Sequence, residues 1–273
     1  MIKLLVCCHA AAELDMLSES EWISGSASGY IDTGYLKETI GCYDESALEL
    51  ACRFSDQCAA MNDACSLAAV TAGTKSSGRF LETLAAVGFS QTDRIHLSDD
   101  QEEKALSSER LSLFLSSYIQ KQEPFDLILC GEQSSDGYQG RVPLLLAEHL
   151  GIRCITQVTS FQPEADGRVA VSYVRDDALC RETITPPALL VVGNTAGTYL
   201  RVPTLKQRMQ SKKQPVTVYE PGELLSGPGA PESCVLSAMT AEIPTRDAVQ
   251  ADGSDPQKGA EILYDYYKKW VRL

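Results

Sequence analysis

Between Phe125 and Gly151 the sequence passes without interruption from a buried strand through a glycine-containing turn into a helix, and few architectures accommodate that succession. Phe125, Leu127, Ile128, Leu129 and Cys130 form a short apolar run with turn residues on both sides, the pattern of a central parallel strand covered on both faces. Gly131-Glu132-Gln133-Ser134-Ser135-Asp136-Gly137 then supplies turn and capping residues. Val142, Leu145, Leu146, His149 and Leu150 recur at helical spacing until Gly151 ends the helix. A helix that starts at the carboxyl end of a parallel strand turns free amides and the positive end of its dipole toward the crevice where open α/β sheets take their ligands. The ligand predicted there is an anion such as a phosphate, with Arg141 offering a guanidinium fork in the first turn. Taken alone, one glycine-containing strand-turn-helix is more often a plain surface turn, here closed by Asp136-Gly137, so the neighbouring segments have to decide.

The rest of the chain predicts the same architecture. Ile2 to Cys8 reads as a strand, Asp44 to Cys58 as a helix, Ser66 to Thr71 as a strand and Ser77 to Val87 as a helix. A short strand near Arg94 to Leu97 and a helix from about Glu103 to Ile119 lead into the strand and helix described above. Strands alternating with helices through right-handed crossovers give an α/β fold: a doubly wound, mostly parallel sheet of Rossmann-like class with helices on both faces. Residues 153–184 break the alternation. Ile155 to Phe161, Val169 to Val174 and Leu179 to Ile184 read as strands around Asp166-Gly167 and Asp176-Asp177, an antiparallel excursion. The apolar strand Ala188 to Val192 and a helix over 204–212 close the core. Ala12 to Ile40, Ser/Gly-rich and containing Trp22 and Tyr30, reads as a long loop of the sort that is usually functional or mobile.

Three segments tie this fold to a family. They are Gly41-Cys42-Tyr43-Asp44-Glu45-Ser46-Ala47-Leu48-Glu49, the run from Cys130 to Gly151, and Arg201-Val202-Pro203-Thr204-Leu205-Lys206-Gln207-Arg208-Met209-Gln210-Ser211-Lys212-Lys213. In order and spacing they resemble the β subunit of electron transfer flavoproteins, the family that includes the FixA type. The corresponding motifs are Asn-Pro-Tyr/Phe-Asp-Glu-x-Ala-Leu-Glu, Leu-Cys-Gly-x-Gln-x-x-Asp-Gly-Asp-Thr-x-Gln and Arg-Tyr-Pro-Ser-Leu-x-x-Ile-Met-Lys-Ala-Lys-Lys. The middle block aligns without a gap, and the resemblance covers residues 1 to about 220.

The resemblance implies a nucleotide-binding α/β domain over residues 1–220, adenine nucleotide alpha-hydrolase-like, acting as an electron carrier rather than an enzyme, with no catalytic residue and no metal. It implies that AMP, or FAD as in electron-bifurcating members, touches Cys8, His9 and Ala10, the turn Gly41, Cys42, Tyr43 and Asp44, then Ala72 and Gly73, and finally Asp136, Gly137, Tyr138, Gln139, Gly140, Arg141 and Val142. The principal FAD is implied to lie mainly on a partner α subunit, with which the chain forms a heterodimer. Two departures stand out. The family's Lys-x-Val-Pro-Asp after the first strand is replaced by His9-Ala10-Ala11-Ala12-Glu13, and its Asp-Gly-Asp-Thr-x-Gln reads Asp136-Gly137-Tyr138-Gln139-Gly140-Arg141, so an acid is lost and a cation gained. The family's Leu-Asn-Glu-Pro, in the loop that docks an acyl-CoA dehydrogenase or similar flavoprotein dehydrogenase, is Gly197-Thr198-Tyr199-Leu200 here. If the loop keeps that task, Thr198, Tyr199 and Leu200 are its contacts, with the last two as anchors; the alternative is that both large side chains pack on the core.

Beyond Glu220 the composition shifts to Pro, Gly, Ser and acids, so residues 221–273 read as an arm that ends in a helix from about Lys258 to Val271. Ile262, Leu263, Tyr266, Tyr267 and Trp270 give that helix an apolar face. The resemblance implies that the arm docks on the α subunit, with Tyr266 and Trp270 among its contacts; packing back on the parent domain is the alternative.

Composition serves to exclude. A formal charge of −13 over 273 residues argues against general nucleic-acid binding. No apolar run approaches membrane-spanning length and no basic region leads into one at the amino terminus, so a cytoplasmic address is expected. The ten cysteines contain no Cys-x-x-Cys pair, and Cys42, Cys52, Cys58 and Cys65 match no iron–sulfur spacing, so most read as small buried hydrophobes. Gly25-Ser26-Ala27-Ser28-Gly29 places alanine where a serine hydrolase needs its nucleophile, and Cys7-Cys8-His9-Ala10 stands where adenylating enzymes carry Ser-Gly-Gly-x-Asp-Ser. Lys206, Arg208, Lys212 and Lys213 form either the solvated basic end of a helix or a patch that steers an acidic partner. The rival from another functional class is a nucleotide-binding regulatory or scaffold module that has lost electron transfer.

Overall fold

The computed structural model describes residues 1–29, 31–76, 78–97, 107–134, 139–224 and 255–271, with the backbone alone at Arg79, Trp270 and Val271. The chain divides into two compact units, Met1–Cys234 and Val235–Leu273.

Strand β1 (Ile2–Cys7) lies at the centre of the first unit. Its apolar run is continuous from Leu4 to Cys7 because both of its faces are covered there: Ile2, Leu4 and Val6 enter one hydrophobic cluster, Leu5 and Cys7 another. A short strand β2 (Ala10–Ala12) follows, then helix α1 (Glu19–Ser28) and strand β3 (Glu38–Ile40), which pairs antiparallel with β2. The stretch from Ala12 to Ile40, expected as a loop, thus holds a helix. Its low apolar content hid it, although Ser18 and Glu21 form a capping box at its start and Gly29 ends it as a left-handed cap.

Helix α2 (Cys42–Ala60), strand β4 (Cys65–Gly73), helix α3 (Arg79–Val87) and strand β5 (Gln91–His96) then build outward on one side of β1. Helix α4 (Ser108–Lys121) returns the chain to strand β6 (Leu127–Gly131) on the other side, and helix α5 (Val142–Leu150) follows. Cys7 is opposite both Val70 of β4 and Cys130 of β6, in parallel register. Helices α2 and α3 contribute to one cluster and α4 and α5 to the other, so the sheet is doubly wound and its strand order reverses between β1 and β6.

Strands β7 (Arg153–Pro163), β8 (Val169–Arg175) and β9 (Ala178–Ile184) form the antiparallel excursion, and β10 (Ala188–Val192) inserts parallel between β6 and β7. Helix α6 (Leu205–Ser211), strand β11 (Thr217–Tyr219) and the single turn α7 (Pro221–Leu224) are the last described elements of the first unit. The nine-stranded order is β11-β5-β4-β1-β6-β10-β7-β8-β9. β11 had no sequence signal: three residues suffice because β5 supplies the ladder and Tyr219 packs edge-on against Tyr118 at 5.2 Å. The second unit contains helix α8 (Pro256–Val271), with Leu263, Tyr264 and Tyr267 exposed and Lys268 set over the Tyr264 ring at 4.2 Å.

Candidate functional site

The carboxyl ends of β1, β4 and β6 open, at the point where the strand order reverses, into a cleft of about 330 Å³. Cys7, Cys8 and His9 enter it from the end of β1, Ala72 from β4, Leu97 from the end of β5, and Asp44 from the first turn of α2. Ser108, Leu111 and Leu115 of α4 form one wall, and the segments Cys130–Ser134 and Gln139–Pro143 the other.

Asp44 organises the floor. The carboxylate is 7% exposed; Oδ2 accepts from the His9 amide at 2.8 Å and Oδ1 from the Gly131 amide at 3.0 Å. One side chain thereby ties the ends of β1 and β6 to the start of α2. Gly131 makes this possible, since a Cβ there would lie 2.3 Å from Asp44 Oδ1 and 2.8 Å from the Asp44 backbone nitrogen. Gly140 adopts φ +62°, left-handed backbone that suits glycine, and a Cβ on it would approach the Glu132 carbonyl to 3.2 Å.

Side-chain charge gives an anion little help. Asp44 and Glu132 are carboxylates in the wall, and the Arg141 guanidinium, at the N-cap of α5, pairs with Glu109 of α4 at 2.5 Å. The fork expected to face a ligand therefore already holds a carboxylate. The Cys8 thiol is pushed well up by burial and then by Asp44, and Cys130 by its hydrogen bond with Cys7 and by burial, so both are neutral at physiological pH. The electropositive features at this point of the cleft are the amides at the start of α5 and that helix's dipole.

Of the residues anticipated from the sequence, Cys8, His9, Asp44, Ala72, Gln139, Gly140, Arg141 and Val142 line this cleft. Ala10 belongs to β2, Gly73 ends β4, and Gly41, Cys42 and Tyr43 form the N-cap and first residues of α2 without lining the cleft. Asp136, Gly137 and Tyr138 lie outside the described residues. The sequence reading missed the α4 wall and the role of Gly131. α4 could have been implicated by Ser107, whose hydroxyl accepts from the Arg110 amide as an N-cap next to the cleft.

The loop after β10 is fastened to α2. Thr198 is 4% exposed and its hydroxyl donates to Ser46 Oγ at 2.7 Å; the Leu200 amide donates to Glu45 Oε1 at 3.1 Å. Arg201 donates through its amide and Nε to Glu49 Oε2, both at 3.2 Å, and Arg53 donates to the Gly197 carbonyl at 2.6 Å. Burial alone would raise the Glu49 carboxyl, but the bonds from Arg201 and Arg53 outweigh it and hold the group below the usual carboxylate range. The two anticipated anchors part company: Leu200 packs against the core, while Tyr199 stands 79% exposed. Val202, Leu205 and Met209 are exposed as well, in the segment that carries the basic side chains of α6. In α8, Tyr266 is 40% exposed, and the Trp270 side chain lies outside the described residues.

Among the described residues, no group of three or more His, Cys, Asp and Glu side chains is placed to hold a metal ion, and no helix is long and apolar enough to cross a membrane.

Comparison with known proteins places these features in a family. The electron transfer flavoprotein domain matches residues 30–224. The electron transfer flavoprotein subunit beta of Bacillus subtilis (strain 168) is 33% identical over 199 residues, covering 71% of this chain and 74% of that protein. YgcR of Escherichia coli (strain K12), a provisionally assigned electron transfer flavoprotein subunit, is 26% identical over 264 residues, covering 96% of this chain and 91% of that protein.

Proposed function

The chain belongs to the electron transfer flavoprotein family as a divergent β-like member, and we propose that it pairs with an FAD-binding α subunit and relays electrons between a flavoprotein dehydrogenase and an acceptor. The observation that carries this reading is the cleft, which joins sequence segments far apart in the chain at the reversal point of a doubly wound sheet, the usual ligand position of such folds.

The cleft residues suit a nucleotide. At about 330 Å³ it lies near the lower end of the ~300–1,000 Å³ range of ligand clefts, which favours a mononucleotide such as AMP over FAD. Leu97, Leu111, Leu115 and Val142 offer apolar surface for a purine, and the amides of Gln139–Val142 a seat for a phosphate. Gly131 and Gly140 let the cleft wall pack tightly on itself, Gly131 against Asp44 and Gly140 against the Glu132 carbonyl. A flavin, when bound, supplies the redox chemistry. The chain's own residues bind, orient and shield, and none is assigned a catalytic role.

The test is to co-express the chain with its α subunit, denature the purified complex and identify the released nucleotides by mass spectrometry and flavin absorbance. One FAD with one AMP is the expected result. Two FAD would assign the cleft to a second flavin, and a chain that purified alone and empty would overturn the reading in favour of a regulatory or scaffold module.

In this reading the exposed segment around Tyr199 docks the dehydrogenase and α8 reaches the α subunit. Between Gly193 and Val216 there are five Lys and Arg residues and no Asp or Glu, in a chain of formal charge −13, so an apolar hollow with an acidic rim is the fitting counterpart. Tyr199→Ala is expected to raise KM for the dehydrogenase about tenfold, the loss of about 1.4 kcal/mol typical of an interface anchor. Because Tyr199 is 79% exposed, kcat and thermal midpoint should stay put. Steady-state electron transfer with each variant, alongside a thermal melt, checks this; an unchanged KM would remove the loop from the interface.

A further inference from the structure

Helix α2 serves the cleft and the loop at once. Its first turn holds the cleft floor through Asp44, which accepts from the amides of His9 and Gly131. Its following turns hold the loop, through Glu45, Ser46, Glu49, Arg53 and Asp56, positions that recur on one face of the helix. Glu49 is the centre of that face. Its side chain is 8% exposed and both oxygens are used: Oε1 accepts from Arg53 Nε at 3.0 Å and Arg201 Nη2 at 3.2 Å, and Oε2 from the Arg201 amide and Nε. Arg201 also reaches Asp56 Oδ2 at 2.9 Å, so one guanidinium spans two turns of the helix.

Both grips act on a rigid element, and Phe54 anchors that element to the sheet by packing on Phe161 with ring centroids 5.1 Å apart. A ligand that orders the floor around Asp44 reduces the freedom of the first turn of α2. Segments bonded to the same rigid helix lose freedom with it, which couples two sites without any change of shape.

We infer that α2 is the strut through which a nucleotide in the cleft steadies the exposed loop bearing Tyr199, and that Glu49 is the positioning residue on which this coupling depends. The inference rests on the nucleotide reading given above. It makes loop order, and with it the surface offered to a partner, responsive to occupancy of the cleft. It also gives a physical reason why the first and third sequence motifs occur together: Glu49 ends one and Arg201 begins the other.

The test is hydrogen exchange on the full chain with and without AMP, followed by mass spectrometry of the peptide spanning Gly197 to Val202, with AMP affinity measured separately by calorimetry. In the unaltered protein AMP should slow exchange of that peptide by about threefold or more, while the β8–β9 hairpin is unchanged. In Glu49→Gln, which keeps the shape but turns an amide donor toward the two arginines, the loop should exchange faster and no longer respond to AMP, with AMP affinity within about twofold of the unaltered protein. Arg201→Gln, at a more exposed position, is expected to do the same and answers the question if Glu49→Gln fails to fold. AMP binding without any effect on the loop overturns the strut and leaves the nucleotide reading intact. A response that survives in both variants overturns the role of Glu49. If AMP does not bind, the assignment of AMP to the cleft fails and the strut with it, whereas faster loop exchange in Arg201→Gln would still support Glu49 as the anchor of the loop.

Discussion

Gly131→Ala is expected to cost about 3 kcal/mol or more of folding stability, at the upper end of what an overpacked site loses, and to abolish nucleotide binding. The new methyl would lie 2.3 Å from Asp44 Oδ1, 2.8 Å from the Asp44 nitrogen and 2.9 Å from the Tyr43 carbonyl carbon. A flexible side chain could swing away, but two of these three atoms are backbone at the start of α2. Relief therefore requires the helix to move off the end of β6, which breaks the Asp44 bonds to the Gly131 and His9 amides. Two part-buried donors left without partners add a further penalty of up to about 1–3 kcal/mol each where no water replaces the carboxylate. Urea unfolding should show a lower midpoint at an unchanged m-value. Gly222→Ala is the control, since a Cβ there meets nothing within 4 Å. The double variant Gly131→Ala with Asp44→Ala should lose less than the sum of the two single losses, because removing the carboxylate removes the shortest contact. A Gly131→Ala protein within about 1 kcal/mol of the parent would show that α2 is not pinned at this point.

This contact also shows where sequence reasoning stops. The alternating elements of the sheet were legible because β1, β4 and β6 are largely buried on both faces and their runs are mostly apolar, and because α5 ends at Gly151 with φ +63° as a left-handed cap. The antiparallel excursion was legible from turn residues such as Asp176 and Asp177, which adopt positive φ. α1 was hidden by its polar composition, and β11 by its length. At the site, the local motifs gave away residues adjacent in sequence, such as Gln139 to Val142, whereas pairings made by the fold were out of reach. Nothing in the order of residues announces that Glu109 neutralises Arg141, or that Gly131 must lack a side chain because Asp44 occupies the space. Likewise Tyr199 and Leu200 are adjacent and similarly apolar, and only the bonds from the loop to α2 decide which one faces out.

The buried cysteines carry the last prediction, a progressive loss of stability in alkali. Cys8, Cys52 and Cys130 are 6%, 2% and 4% exposed. Burial pushes Cys52 up from 9.0 to about 12, burial and then Asp44 raise Cys8 well above 9.0, and the Cys7 hydrogen bond and burial do the same for Cys130. The sign follows from proton counting. Above pH 9 the unfolded chain releases these protons while the folded chain keeps them, so the unfolded state binds fewer protons and stability falls as pH rises. Stability is unaffected by these groups below about pH 9 and is lost between there and the folded values, at about 1.4 kcal/mol per pH unit for each thiol. Cys52 alone gives a slope of about 1.4 kcal/mol per pH unit between pH 9 and about 12, and Cys8 and Cys130 add to the fall in the same direction, against the 5–15 kcal/mol that holds a typical domain together. Tyr118, raised by burial and by its hydrogen bond to Asp93, steepens the fall above pH 10. The protein is therefore expected to lose stability progressively above about pH 9 under reducing conditions. Urea midpoints at pH 7, 9, 10 and 10.5 should trace the slope, and Cys52→Ala should flatten it by about 1.4 kcal/mol per pH unit. Stability that stayed level to pH 11 would mean that water reaches these thiols, and hence the floor of the cleft that Cys8 and Cys130 line.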